Sequence, residues 1–192
     1  LHYSSEQGFA ENKSLFRILA KNNFDTYFLS ASSQYYNDEF RDYKKQFGMK
    51  YYRAREDLEK QGYLGSSGWG FHNDVMYAET IRLAKQNQNK KFLLVTKTLD
   101  FHQPDVYSGV ADNNLPLAIQ NASNQYLKGL YWENISLQRF FQDLYEQGLF
   151  DDKTLIIVTS DHNPHPSQGR EYKSLATEEM FLRLGPLPLI FV

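Results

Sequence analysis

The chain contains no cysteine. That excludes a disulfide scaffold and any thiolate metal site, and it fits an extracytoplasmic bacterial protein. Nor is there a run of about 20 apolar residues, the length needed to span a bilayer. The longest apolar stretches, at 92–95, 155–158 and 189–192, have the length of buried strands. No signal peptide is visible. An excess of basic charge is missing too. The formal net charge is −2, whereas a nucleic-acid binder normally shows a basic face, so no nucleic-acid partner is expected.

What is present describes a globular domain. At 192 residues, 41% hydrophobic and 23% charged, the chain is long enough to bury a real core and is read as a single domain over 1–192 without a linker. Aromatics reach 16%, with fourteen Tyr and fourteen Phe. Their first reading is core and subsurface packing, with the lining of a sugar or lipid site as the alternative. The chain starts at Leu1 rather than Met and ends on Val192 inside an expected strand. Both ends are therefore expected to be cut, and the missing membrane anchor says little about the parent protein.

Along the chain, helix and strand alternate. Helical spacing of apolar residues predicts helices at 14–21, 37–47, 74–86, 124–147 and 174–182, with a short helical piece near Leu117. Gly148 is a natural C-cap for the longest of them. Strands are expected at 26–30, 91–98, 154–159 and 187–192, and loops at 62–70 and 160–170. Continuous apolar strands separated by helices imply a doubly wound, mainly parallel sheet with helices on both faces, truncated at both ends. In such a sheet ligands bind outside the carboxyl ends of the strands.

Two strands end in reactive side chains. Residues 91–98 run into Leu99-Asp100-Phe101-His102, and 154–159 into Ser160-Asp161-His162. If those strands are near neighbours, His102, Asp161 and His162 converge on one crevice. A carboxylate beside an imidazole offers one hard and one borderline ligand, suited to Mn²⁺, Zn²⁺ or Mg²⁺. On the residues alone, an Asp-His pair after a strand is also an ordinary surface turn. Neither G-x-G-x-x-G nor G-x-x-x-x-G-K-[ST] occurs, which counts against a plain nucleotide-binding domain.

A family pattern joins these pieces. The run from Thr154 to Ser160-Asp161-His162 resembles the strand and metal-binding turn of the sulfatase family in the alkaline phosphatase superfamily, which includes lipoteichoic-acid synthases and phosphoglycerol transferases. Gly148-Leu149-Phe150-Asp151-Asp152-Lys153-Thr154 is similar to the turn that precedes this strand in the family. Lys91 to His102-Gln103-Pro104 resembles its strand followed by a His-x-Pro turn, and Trp69-Gly70-Phe71-His72-Asn73-Asp74 its Trp-Gly-x-x-Asp segment. The helix and strand over 15–30 complete an ordered set covering nearly the whole chain.

The resemblance implies roles residue by residue. Asp161 and His162 match two metal ligands, for one divalent ion, with Mn²⁺ first and Mg²⁺ or Zn²⁺ as alternatives. His102 matches a histidine that contacts the substrate phosphate or donates a proton to the leaving oxygen. Arg170, in the 160–170 loop, is a candidate phosphate clamp. His165 could touch substrate or metal, against the plainer reading of a solvated loop histidine. His72 is read as an interfacial side chain near Trp69. The family's Thr or Ser nucleophile and its remaining acidic ligand are expected upstream of the first helix, outside this chain.

The implied activity is that of a phosphotransferase or hydrolase on phosphodiester or sulfate esters, with a phospholipid or glycan substrate. The expected setting is a bacterial membrane protein whose catalytic domain is extracytoplasmic and whose anchor lies in segments absent here. The alternative is a catalytically inactive sensor or lipid-binding module on the same fold. Three departures from the family pattern stand out. Asn134 and Asn73 sit where Asp is usual, and Asn163-Pro164 follows His162 in place of a common Gly. The first two read as structural positions. The third bears on the substrate side of the site.

Overall fold

The computed structural model describes residues 14–36, 43–44, 47–64, 69–102, 115–160 and 189–191. The chain divides into two compact units, Leu1–Asp105 and Val106–Val192, and each is taken by itself.

The first unit opens with helix α1, Leu15–Lys21. Ser14 caps it, its Oγ accepting from the N–H of Arg17 at 3.2 Å and donating to the carbonyl of Phe47 at 2.5 Å. The helix stops at Asn22-Asn23, where Asn23 takes φ of 63°, a left-handed conformation that Asn tolerates better than most residues. Strand β1, Asp25–Ser30, follows, then β2, Tyr51–Arg53, and the short helix α2, Arg55–Lys60. Helix α3, Asn73–Asn87, leads into β3, Phe92–Lys97. The sheet order is β2-β1-β3, and both pairings are parallel, with Tyr27 opposite Tyr51 and Ser30 opposite Lys97.

Because side chains alternate across a strand, neighbouring residues of β1 serve opposite faces. Phe28 packs with Met49, Tyr52 and Ala54, against Phe16 of α1 and Tyr43. Leu29 packs with Ala31, Leu58 of α2, Phe71 and Met76 of α3. Helices therefore cover both faces, as a parallel sheet requires. Each such Leu or Phe contributes roughly 1.5–3 kcal/mol by burial. The helix α3 is further fixed by Glu79, whose fully buried carboxylate accepts from Arg53 at 2.9 Å, from Arg82 and from the Tyr63 hydroxyl.

In the second unit, helices α4, Leu117–Gln120, and α5, Gln125–Glu146, precede strands β4, Ile157–Thr159, and β5, Leu189–Phe191. The α5 helix turns Trp132, Ser136, Phe140 and Leu144 to one buried face, a four-residue spacing that keeps them on one stripe. Trp132 packs with Leu115, Ile119 and Ile135. Gly148, at φ of 66°, closes the helix, and the N–H of Leu149 donates to the carbonyl of Leu144 at 2.9 Å. Asn134 is exposed on α5.

Two features differ from the sequence expectation. The strands β4 and β5 pair antiparallel, Ile157 opposite Phe191 and Thr159 opposite Leu189. An apolar run identifies a strand but carries no information about its partner's direction. The other is β2 and α2, which were not expected. A three-residue strand and a six-residue helix are too short to show a period. Most of the helix expected at 37–47, and all of that at 174–182, lies outside the described residues.

Candidate functional site

The carboxyl ends of β1 and β3 lie side by side, since Ser30 pairs with Lys97. Beyond β1 the chain bends at Ala31, and Ser30 Oγ and Ser32 Oγ meet at 2.8 Å. Ser32 bridges Gly70, and the N–H of Phe71 donates to the carbonyl of Ala31 at 3.1 Å. Only glycine fits at position 70. A Cβ there would stand 2.1 Å from the Ala31 carbonyl oxygen. This close approach fixes the backbone next to Trp69.

Beyond β3, residues Leu99 to His102 form a tight turn, the N–H of His102 donating to the carbonyl of Leu99 at 2.8 Å. The turn brings the His102 ring to 4.9 Å from the Trp69 ring, at an interplanar angle of 42°. Tyr36 meets Trp69 edge-on at 5.6 Å, and the Lys97 ammonium lies 5.8 Å from the Tyr36 ring centre. The result is a half-buried patch of three rings and one cation at the carboxyl edge of the sheet.

Asp100 ties this turn to the next helix. One carboxylate oxygen sits 2.8 Å from His72 Nδ1, and the other accepts from the N–H of Asn73 at 2.9 Å. His72 is the N-cap of α3 and makes no side-chain cap of its own. Asp100, reaching across from the β3 turn, takes that part, satisfying an orphan N–H at the positive end of the helix. Its hydrogen bond holds the His72 imidazole above the usual histidine range, with burial opposing and the charges of Asp100 and Asp74 adding to it.

His102 is thus where the sequence expected it, at the end of a parallel strand. Asp161, His162, His165 and Arg170 lie outside the described residues, so their convergence with His102 stays an expectation. Among the described residues no group of three or more His, Asp or Glu could hold a metal. His72 is near the Trp69-Gly70 segment as expected, but its contact is Asp100. Asp100, Lys97 and Tyr36 were not singled out from the sequence. An acidic residue two positions before a candidate catalytic histidine was the available signal. Glu56 is a further polar anchor beside the edge, accepting from Ser33 Oγ at 2.5 Å and from the N–H of Gln34 at 3.0 Å. Burial pushes its carboxyl up, but those two bonds, with its own N–H and Arg55, hold it below the usual range.

The sulfatase family model matches residues 2–183. Among solved structures, the lipoteichoic acid synthase LtaP from Listeria monocytogenes superposes with a TM-score of 0.68 at 19% identity, covering 92% of this chain and 45% of that one. A protein of the alkaline phosphatase superfamily from Vibrio parahaemolyticus gives 0.65 at 17% identity, covering 91% and 40% respectively. The chain therefore spans less than half the length of either. No curated protein sequence matches it significantly. Among the described residues no helix is long and apolar enough to cross a membrane.

Proposed function

Because the chain belongs to the sulfatase family, we propose that it is part of a metal-dependent phosphotransferase or hydrolase. Its substrates are phosphodiester or sulfate esters of cell-envelope lipids or glycans. The nucleophile is a Thr or Ser outside residues 1–192, and these residues belong to one catalytic domain facing outward from a bacterial membrane. One observation carries the reading: His102 stands on a closed turn at the carboxyl edge of the parallel sheet, with the Trp69 ring against it.

Asp161 and His162 would hold the ion. A carboxylate and an imidazole are a donor set that fits Mn²⁺ first, with Mg²⁺ or Zn²⁺ as alternatives. When bound, it supplies positive charge that polarises a phosphoryl or sulfuryl oxygen and eases ionisation of the attacking hydroxyl.

The other steps fall to this chain's own side chains. The nucleophile attacks as its alkoxide, its proton having passed to solvent; its oxygen bonds to phosphorus or sulfur as the bond to the leaving alcohol breaks. The leaving oxygen needs a proton, and His102 gives it. The neutral imidazole then takes a proton from the incoming alcohol or water, whose oxygen bonds to phosphorus or sulfur as the bond to the nucleophile breaks, which restores both groups for the next cycle. Arg170, with His165, would hold the non-bridging oxygens.

The test uses the longer enzyme that carries the nucleophile. His102→Ala should keep metal content and lose turnover, whereas Asp161→Ala should lose both. If both variants kept their metal and behaved alike, the role assignment would fail. Residues 1–192 alone should show no metal-dependent phosphodiester turnover. Absence of turnover in the longer protein as well would favour an inactive sensor or lipid-binding module.

A further inference from the structure

We infer that Asp100 and His72 are positioning residues for His102: the carboxylate staples the turn that bears His102 to the first turn of α3, fixing its ring against Trp69. The inference rests on the proposed role of His102 for its catalytic meaning, but its structural content stands apart from that role.

The staple is built from both sides. The side chains of His72 and Asp100 are 9% and 8% exposed, so their 2.8 Å contact is made largely out of water, where such a bond is stronger than at a surface. The second oxygen, on the Asn73 N–H at 2.9 Å, gives the carboxylate two fixed anchors, which sets its plane as well as its place. Asp100 lies inside the turn that the His102 N–H closes onto Leu99. Moving Asp100 therefore moves His102. On the other side, Trp69 is held by the Gly70 approach to Ala31, where a Cβ would stand 2.1 Å from the carbonyl oxygen. One ring is thus fixed from β1 and the other from α3, and the 4.9 Å contact between them reports whether both anchors hold.

Loss of the staple should leave a histidine that is present but mispositioned. A displacement of about 1 Å at a reacting group can cost around 100-fold in rate. In the longer enzyme, His72→Ala and Asp100→Asn should lower kcat by roughly 10- to 100-fold with KM little changed. His72→Asn places an amide nitrogen close to where Nδ1 stood and keeps a donor for Asp100. It should recover most of the rate.

The structural readout is made on the 192-residue chain. The His102 ring proton signals, identified as those missing from His102→Gln, should be displaced by the Trp69 ring current, and Trp69→Leu gives the unstacked reference. His72→Ala and Asp100→Asn should move them toward that reference, while His72→Asn should leave them in place. The inference is overturned if His72→Ala and Asp100→Asn both leave the signals where they are, or if His72→Asn fails as His72→Ala does. Should the signals shift as expected while His102→Ala retains full turnover, the staple stands and the catalytic role of His102 falls.

Discussion

In the first unit β1 has a strand on each side, and its Phe28 and Leu29 are 5% and 0% exposed. In the second unit β4 pairs with β5 alone among the described residues, and Leu155 and Ile157 are 68% and 48% exposed. In the sequence β1 carries Tyr27-Phe28-Leu29 between polar residues, and β4 overlaps the apolar run 155–158. What separates them among the described residues is what packs against them: helices on two faces in the first unit, and the paired strand β5 in the second. The difference teaches that an apolar run is a demand for burial, and that the neighbouring elements decide whether the demand is met.

The largest expected effect tests that contrast directly. Leu29→Ala removes a fully buried side chain from the cluster of Ala31, Leu58, Phe71 and Met76 and should cost about 2–5 kcal/mol. Ile157→Ala, at 48% exposure, should stay within roughly 0.5 kcal/mol, as surface substitutions usually do. Urea unfolding midpoints of the two variants measure both. Equal losses would break the comparison and mean that Ile157 is buried in solution.

A second, smaller effect concerns the polar part of the same core. Glu79 is completely buried, and Arg53, Arg82 and Tyr63 converge on it. Burial pushes its carboxyl up, but the Arg82 bond, the Tyr63 hydroxyl and the two guanidinium charges win, and it is held below the usual carboxylate range. A depressed folded value means stability that is present above the unfolded value and lost as pH falls through the folded one. Glu79→Gln should therefore destabilise by about 1.5–3 kcal/mol at neutral pH, the range for hydrogen bonds to charged groups. It should also flatten the acid limb of the stability profile, although Glu56, likewise depressed, keeps part of the slope. A variant with the wild-type acid slope would mean that Glu79 does not carry that share.

Much of this architecture was legible in the sequence, for a physical reason in each case. The strand β3 was visible because Phe92 to Val95 is an unbroken apolar run, and α5 because its apolar stripe repeats over six turns. The strand β2 and helix α2 were not, since they are too short to express a period and are held by tertiary contacts of Tyr52 and Leu58. Strand direction in the β4–β5 pair was beyond the sequence because residue type does not encode a partner's polarity. At the site, His102 was legible through its place after a strand. Asp100 was not, because its function depends on His72 and Asn73, more than twenty-five residues away in the chain.

The smallest effect is also the one that links stability to the candidate site. The His72 imidazole is held above its ordinary value, chiefly by the Asp100 hydrogen bond, with burial working the other way. A raised folded value means that the stabilisation is complete below the unfolded value, near 6.5, and is lost as pH rises through the folded one. The first unit should therefore be slightly less stable in mildly alkaline solution than at pH 6. Helix α5 itself carries no histidine, so it supplies the internal contrast. Hydrogen exchange read separately on β1 and on α5 across pH 6 to 8, corrected for intrinsic exchange rates, measures the two. Protection in β1 should fall relative to that in α5, and His72→Asn, which keeps a donor but cannot titrate, should remove the difference. His102 is half-buried in the same unit, and His102→Gln serves as the control. A slope that survives His72→Asn would break the link between the staple and the pH dependence of stability.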